Sequence, residues 1–470
     1  MLPFFKGQTV TKSYKTLFVC QQCGKESPKW LGHCSDCQGW NTFVETQVST
    51  SRGAGTTPFP SQSQVLELSQ ITVEDSPRLL PPSSEFNRVL GGGIVPGSLV
   101  LISGDPGIGK STLLLQVSAG IAQQGKKVVY ASGEESSYQT RMRADRLAIK
   151  GEGLYLLAQT DLEGIIQQME SIGPSLAVID SIQTVYLRDL EGAPGSISQI
   201  RECTLRLMQW AKVSAVPLLV AGHVTKEGAI AGPKALEHIV DVVLYLEGES
   251  FSAYRLLRGI KNRFGSTNEV GIFEMGEHGL AEVENPSRVF LSQRSQQPVG
   301  SVVAATLEGT RPLLVEIQAL TNVTSFGLPR RTANGIDLNR LQLIIAVLTK
   351  RAGLRLSNQD IIVNVVGGLK ISEPAVDLAV ALSIASSFSD REMDPNLIAL
   401  GEIGLSGEVR AVSQPERRLV EAARQGFTRC IGPQASLNSL TPPRGMETIA
   451  VNSLGEALRA ALKSKSKPGM

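Results

Sequence analysis

Val89-Leu-Gly-Gly-Gly-Ile-Val-Pro-Gly-Ser98-Leu-Val-Leu-Ile-Ser103-Gly104-Asp105-Pro106-Gly107-Ile108-Gly109-Lys110-Ser111-Thr112 decides the fold. Gly104 to Ser111 fits G-x-x-x-x-G-K-S, the P-loop. Ser98 to Ser103 is a short apolar run and reads as a buried strand. Thr112 to Ala122 has the apolar spacing of a helix. Glycines let the backbone wrap a phosphate with its N–H groups, and the helix N-terminus adds a favourable dipole. Lys110 is expected to reach the β- and γ-phosphates of ATP, and Ser111 to hold Mg²⁺. Asp105, Pro106, Gly107, Ile108, Gly109 and Thr112 complete the expected cradle.

The other parts of a hydrolase follow in order. Leu176 to Asp180 is an apolar strand ending in a carboxylate, the Walker-B pattern, so Asp180 is a second Mg²⁺ holder. Val128 to Ser132 is another buried strand and leads into Glu134 and Glu135. A carboxylate there positions and deprotonates the attacking water; the sequence does not choose between the two. Val216 to Ala221 ends at Gly222-His223, and His223 is a candidate γ-phosphate sensor. Further strands read at Asp241 to Leu246, Tyr254 to Ile260 and Glu269 to Phe273. Strands that first alternate with helices and then run consecutively predict a mostly parallel sheet with an antiparallel edge. Ligands bind beyond the carboxyl ends of such strands.

Ahead of this lie Cys20, Cys23, Cys34 and Cys37, spaced C-x₂-C-x₁₀-C-x₂-C. Two such knuckles close a tetrahedral site around structural Zn²⁺; iron is the less favoured occupant. Four thiolates leave no open coordination position. A module of about forty residues cannot bury enough core alone, so metal carries its folding. The chain has six cysteines in 470 residues, and Cys203 and Cys430 lie far away. The first nineteen residues carry three lysines and no long apolar stretch, which reads as no secretory signal. A cytoplasmic, reducing compartment is the expectation, and with it thiols rather than disulfides. No segment reads as a membrane span. A net charge of +2 does not advertise nucleic acid, so any DNA contact must be local.

The run Val89 to Thr112, the Gly133-Glu-Glu-Ser136 segment and Lys261-Asn-Arg-Phe-Gly265 resemble the bacterial RadA (Sms) DNA-repair family, over essentially the whole chain. The resemblance implies a RecA-like motor that works as a hexamer with nucleotide between subunits. Lys261 and Arg263 then complete a neighbour's site, where a cation supplied in trans stabilises phosphoryl charge. It implies a DNA-dependent ATPase of homologous recombination that binds single-stranded and branched DNA. Such a motor drives branch migration with the RecA recombinase. In such motors the loops Arg188–Gln199 and Thr225–Lys234 touch DNA, with Lys226 and Lys234 as phosphate contacts; both are Gly/Pro-rich, as mobile loops are. The alternatives are a RecA-like ATP switch without translocation, and an ATP-fuelled protease.

The C-terminal third resembles the proteolytic domain of Lon proteases and reads as α+β. Helices are expected at Leu338–Arg351, Pro374–Ser386 and Pro415–Gln425, with strands at Asp360–Val366 and Leu397–Gly401. In that alignment Ala375 stands where Lon carries its serine nucleophile, and Glu416 where it carries its lysine base. Neither can do the chemistry, so no peptidase activity is expected and the domain reads as a scaffold. Arg330, Arg331, Arg410, Arg417 and Arg418 offer it a candidate DNA-facing surface. The resulting division is 1–45 zinc module, 46–64 flexible linker, 65–284 ATPase domain, 285–462 Lon-like domain, and 463–470 a basic, disordered tail.

Overall fold

Short β-branched runs divided by amphipathic stretches set the chain's alternation of strands and helices. The computed structural model describes residues 14–20, 25–35, 38–49, 67, 77–223, 236–248, 253–291, 299–325 and 327–462. An antiparallel sheet comes first, with β1 (Tyr14–Cys20) between β2 (Glu26–Ser27) and β3 (Phe43–Ser49). β1 pairs with β3 along its whole length, Tyr14 opposite Ser49. The stretch expected to be linker from Thr46 is therefore still strand as far as Ser49, because the ladder to β1 outweighs its polar composition.

The motor follows as α1 (Ser84–Leu90), β4 (Leu99–Gly104), α2 (Lys110–Ala122), β5 (Val128–Ser132), α3 (Ser137–Arg146), β6 (Leu154–Ala158) and α4 (Leu162–Ile172). It continues as β7 (Leu176–Asp180), α5 (Ile197–Ser214), β8 (Leu218–His223), β9 (Val242–Glu247), β10 (Tyr254–Asn262), β11 (Val270–Gly276) and β12 (Gly279–Glu282). One nine-stranded sheet has the order β12-β11-β10-β9-β4-β8-β7-β5-β6. The strands from β9 to β6 are parallel, and β10 turns back antiparallel on β9. This is the mostly parallel sheet with an antiparallel edge that the sequence predicts.

Side chains along the central strands alternate between two cores. Val100, Ile102, Tyr130 and Val178 pack on one face with Phe86 and Leu114. Leu99, Leu101, Ala131 and Ile179 pack on the other with Leu162, Ile200 and Leu207. Strands apolar on both faces are what a doubly covered parallel sheet requires. Each buried Val, Leu or Ile contributes about 1.5–3 kcal/mol, so this layer dominates the motor's stability. Helix ends are fixed locally. Ser83 Oγ accepts the Phe86 N–H at 3.2 Å to start α1, and Gly91 ends it in the left-handed region at φ 78°. Ser136 and Gln139 form a capping box at the start of α3.

The C-terminal part contains α6 (Pro286–Leu291), β13 (Ser301–Glu308), β14 (Arg311–Val323), β15 (Arg331–Asn334), α7 (Leu338–Arg351), β16 (Gln359–Val365), α8 (Asp377–Ser389) and β17 (Leu397–Ala399). After these come β18 (Glu402–Ile403), β19 (Val409–Arg410), α9 (Pro415–Arg424), β20 (Arg429–Pro433), α10 (Gln434–Leu437), β21 (Glu447–Val451) and α11 (Leu454–Ala461). Its mixed sheet has the order β15-β16-β14-β13-β17-β20-β21. α8 is apolar nearly all round and is buried from Asp377 to Ser386, so it serves as the central helix. The helix expected from Pro374 opens instead as a 3₁₀ turn, Pro374–Val376, before α8.

The chain divides into two compact units. One comprises the residues up to Gly248 with Arg255–Glu282; the other runs from Val283 and includes the short stretch ending at Tyr254. Among the described residues no helix is long and apolar enough to cross a membrane.

Candidate functional site

β4 is buried along its whole length and delivers the chain into the Gly104–Ser111 turn. Gly104 has φ 150°, and a Cβ there would meet Leu246 O at 2.3 Å. Gly109 has φ 117°, and its Cβ would meet Met275 Cε at 2.6 Å. Only glycine permits this close wrap. α2 begins at Gly109 with no side-chain cap, so its first N–H groups remain available to an anion. Lys110 is 4% exposed, and its Nζ donates to Gly104 O at 2.9 Å and Asp105 O at 3.0 Å. Burial lowers its pKa, opposed by the charges of Asp180, Glu134 and Asp105. An uncapped helix start, a buried cation and a glycine-only wrap fit a polyphosphate.

Asp180 ends β7 and is 5% exposed. Ser111 Oγ donates to its Oδ1 at 3.2 Å, and Tyr130 OH donates to its Oδ2 at 2.5 Å. Burial and the Asp180 charge hold the Tyr130 phenol protonated well above the usual tyrosine range. Two hard oxygen groups, Ser111 and Asp180, thus lie side by side at the cradle, a donor set that suits Mg²⁺.

The two glutamates separate. Ser181 Oγ donates to Glu134 Oε1, and the Glu134 charge is felt at Lys110. Glu135 pairs with Arg143 of α3, and its N–H donates to Ser132 Oγ at 3.1 Å. Glu134 therefore belongs to the cradle side and Glu135 to the α3 side. His223 ends β8 in register with Gly104, so its backbone stands beside the cradle's first residue.

Lys261 and Arg263 do not meet the cradle. β9 runs parallel to β4, with Val242 opposite Val100 and Leu246 opposite Gly104. β10 runs back, so Asn262 stands opposite Val242. The pair therefore sits at the opposite end of the sheet, about 13 Å of strand from Gly104 at ~3.3 Å per residue. Lys261 Nζ donates to Glu237 O at 2.5 Å and Val240 O at 2.9 Å. Burial, then Arg263 beside it, lower its pKa. Arg263 pairs with the buried Asp241 at 3.1 Å. The turn rests on the glycine run: Asn262 Nδ2 donates to Leu90 O at 3.2 Å, and Arg78 bridges Gly91 O and Phe264 O.

The loop Arg188–Gln199 is not the free loop that its Gly/Pro content suggests. Gln199 is fully buried at the start of α5 and ties it down. Its side chain accepts from Leu187 N–H at 2.9 Å and donates to Leu187 O and Leu190 O at 3.1 and 2.7 Å. Thr225–Lys234, with Lys226 and Lys234, lies outside the described residues, as do Cys23, Cys37 and the tail from Lys463.

In the N-terminal module, Cys20 N–H donates to Lys25 O and Cys34 N–H to Gly39 O, each at 2.9 Å. Each bond reaches five residues on, and both thiols are buried in one small cluster with Phe43. Two thiols held by like backbone bonds and buried together fit one half each of a two-knuckle metal site. Cys203 is buried in α5, and burial followed by the Glu202 charge pushes its thiol up to about 12.

In the C-terminal unit Ala375 is buried and Glu416 exposed. Arg418 is completely buried. Its fork pairs with Glu373 and donates to Ala305 O at 2.6 Å and Ser413 O at 2.9 Å. This corrects the expected DNA-facing role of Arg418. The same holds in part for Arg331, whose guanidinium donates to Gln359 O and to Leu356 O at 3.0 Å.

Tyr130, Ser181, Arg143, Asp241 and Gln199 were not singled out by sequence reasoning. Only Tyr130 carried a signal: a phenol inside a buried run needs a polar partner.

Fold and site together define a RecA-like P-loop ATPase that carries a zinc ribbon ahead of it and an α+β domain behind. The AAA domain family matches residues 63–229, the Rubredoxin metal binding domain family 18–45, and the family of Subunit ChlI of Mg-chelatase 317–436. The DNA repair protein RadA of Bacillus subtilis (strain 168) is 54% identical over 452 residues, covering 95% of this chain and 99% of that protein. RadA of Listeria monocytogenes is 52% identical, covering 95% and 98%. The chain belongs to the bacterial RadA family of DNA repair proteins. A KaiC-like protein of Pyrococcus horikoshii OT3 aligns with 44% of this chain and 99% of its own at 22% identity and a TM-score of 0.37.

Proposed function

We propose that this chain is a DNA-dependent ATPase of homologous recombination and repair, acting in the cytoplasm. It works as a hexameric ring that moves along single-stranded DNA and drives branch migration with the RecA recombinase. Lys110 and Ser111 hold ATP with Gly104 to Gly109 and Thr112. Ser111 and Asp180 hold Mg²⁺, and Glu134 is the base that takes the proton of the attacking water. His223 senses the γ-phosphate. Bound ATP supplies the phosphoryl bond whose cleavage releases the energy, and Mg²⁺ shields its charge. Cys20, Cys23, Cys34 and Cys37 hold Zn²⁺. The C-terminal unit is a scaffold without peptidase activity.

The observation that carries the reading is the end-to-end separation of Gly104 from Lys261 and Arg263. A cationic pair too far from its own cradle is arranged to serve another copy. The test is phosphate release and fork unwinding with and without single-stranded DNA. Lys261→Ala and Arg263→Ala should fold and assemble yet lose about a thousandfold in DNA-stimulated turnover. Normal turnover and unwinding in both variants would refute the trans site. A ring whose hydrolysis ignores saturating DNA would make the protein a switch.

A further inference from the structure

We propose that Asp241 is the positioning residue that aims Arg263 at the neighbouring subunit's nucleotide; the inference rests on the trans reading above. Asp241 precedes β9 and is 1% exposed. Its Oδ1 accepts from Arg263 Nη1 at 3.1 Å. Its Oδ2 accepts from Lys212 Nζ at 3.0 Å and from the Leu99 N–H at 3.1 Å. The backbone repeats the link: Arg263 N–H donates to Asp241 O at 3.2 Å, and Asp241 N–H to Leu99 O at 3.1 Å. Arg263 is thus gripped through both side chain and main chain. The grip is anchored on Leu99, the first residue of the strand that ends in this chain's own cradle.

The division of labour follows from the two oxygens. A buried carboxylate needs pairing, and Lys212 with the Leu99 N–H meets that need at Oδ2 without Arg263. Oδ1 is then left to the finger. A guanidinium carries five N–H donors in a planar fork. One side-chain bond to Oδ1, beside the main-chain bond, restrains its direction and leaves the other N–H groups for a phosphate, and the Arg263 side chain is 51% exposed. Lys261 is held differently, through the carbonyls of Glu237 and Val240. Asp241 therefore orients one of the two cations.

Because the finger works on another copy's site, a positioning defect must be curable by mixing, whereas a defect in the cradle must not. Asp241→Asn should lower DNA-stimulated kcat about ten- to hundredfold, the scale of a misplaced catalytic group, with KM for ATP little changed. Lys110→Ala chains are inactive but carry an intact finger. Mixed with Asp241→Asn chains, they should restore turnover at the Asp241→Asn cradles that they adjoin. Lys212→Gln, which removes the charge at Oδ2 but leaves the Oδ1–Arg263 bond in place, should lose clearly less turnover than Asp241→Asn. The proposal is overturned if Arg263→Ala is rescued by Lys110→Ala while Asp241→Asn is not, or if Lys212→Gln loses as much as Asp241→Asn. If Arg263→Ala is not rescued either, the trans reading itself fails. Should Asp241→Asn not fold, Asp241→Glu displaces the carboxylate by one methylene and goes through the same mixing.

Discussion

Replacing Glu134 and Glu135 in turn by glutamine separates chemistry from scaffolding. Glu135 is paired with Arg143, with side chains 27% and 23% exposed. A pair that is partly open to solvent is worth about 0.5–1 kcal/mol. Its loss should lower the melting temperature by roughly 1–4 °C in a domain of this size. Turnover in Glu135→Gln should stay within about threefold, since no proton transfer is lost. Glu134 instead accepts from Ser181 beside Asp180, and its charge reaches Lys110. Glutamine keeps that hydrogen bond and the shape, so Glu134→Gln should melt as the parent does. It loses the base, which contributes about 10²–10⁴ in rate. At 1.36 kcal/mol per decade the barrier rises by about 2.7–5.4 kcal/mol. Binding of a fluorescent ATP analogue, phosphate release and calorimetric melting give all three readings. The assignment is refuted if Glu135→Gln is the variant that binds ATP and cannot cleave it while Glu134→Gln turns over normally.

Two further outcomes are expected. Arg418→Met should destabilise the C-terminal unit by about 3 kcal/mol, because it removes the buried cation paired with Glu373 and leaves that carboxylate only the Thr306 Oγ1 and Leu307 N–H donors. Glu373→Leu added to it should recover part of that loss in urea titrations, and neither variant should cleave casein. A strong thiol-competing chelator should release about one Zn²⁺ per chain and unfold the N-terminal module. That release should be seen as a shift in emission from Trp30 and Trp40, and Cys34→Ser should bind no zinc from the start.

The apolar strands and the P-loop were legible because each is a local pattern. Leu176–Asp180 and Val128–Ser132 are observed with the expected bounds, and helix Leu338–Arg351 likewise. β6 and the β12 edge were not anticipated; both are short, and no residue of β6 is fully buried, so periodicity is weak there. The loop after Asp180 misled because Gly and Pro report local freedom, whereas Gln199 pins it through contacts made across the turn.

Residue order alone thus determined the cradle: the glycines, Lys110 and Ser111 are contiguous, and a contiguous motif folds with its own helix. The tertiary structure decided everything that depends on register between distant strands. It set Glu134 rather than Glu135 beside Ser181, and gave Asp180 its partner in Tyr130, fifty residues away. It buried Arg418 and tied Arg263 to Asp241. It also carried Lys261 to the far end of the sheet from Gly104. Pairing across a sheet is fixed by which side chains fill the two shared cores, and no window along the chain contains both halves of such a pair.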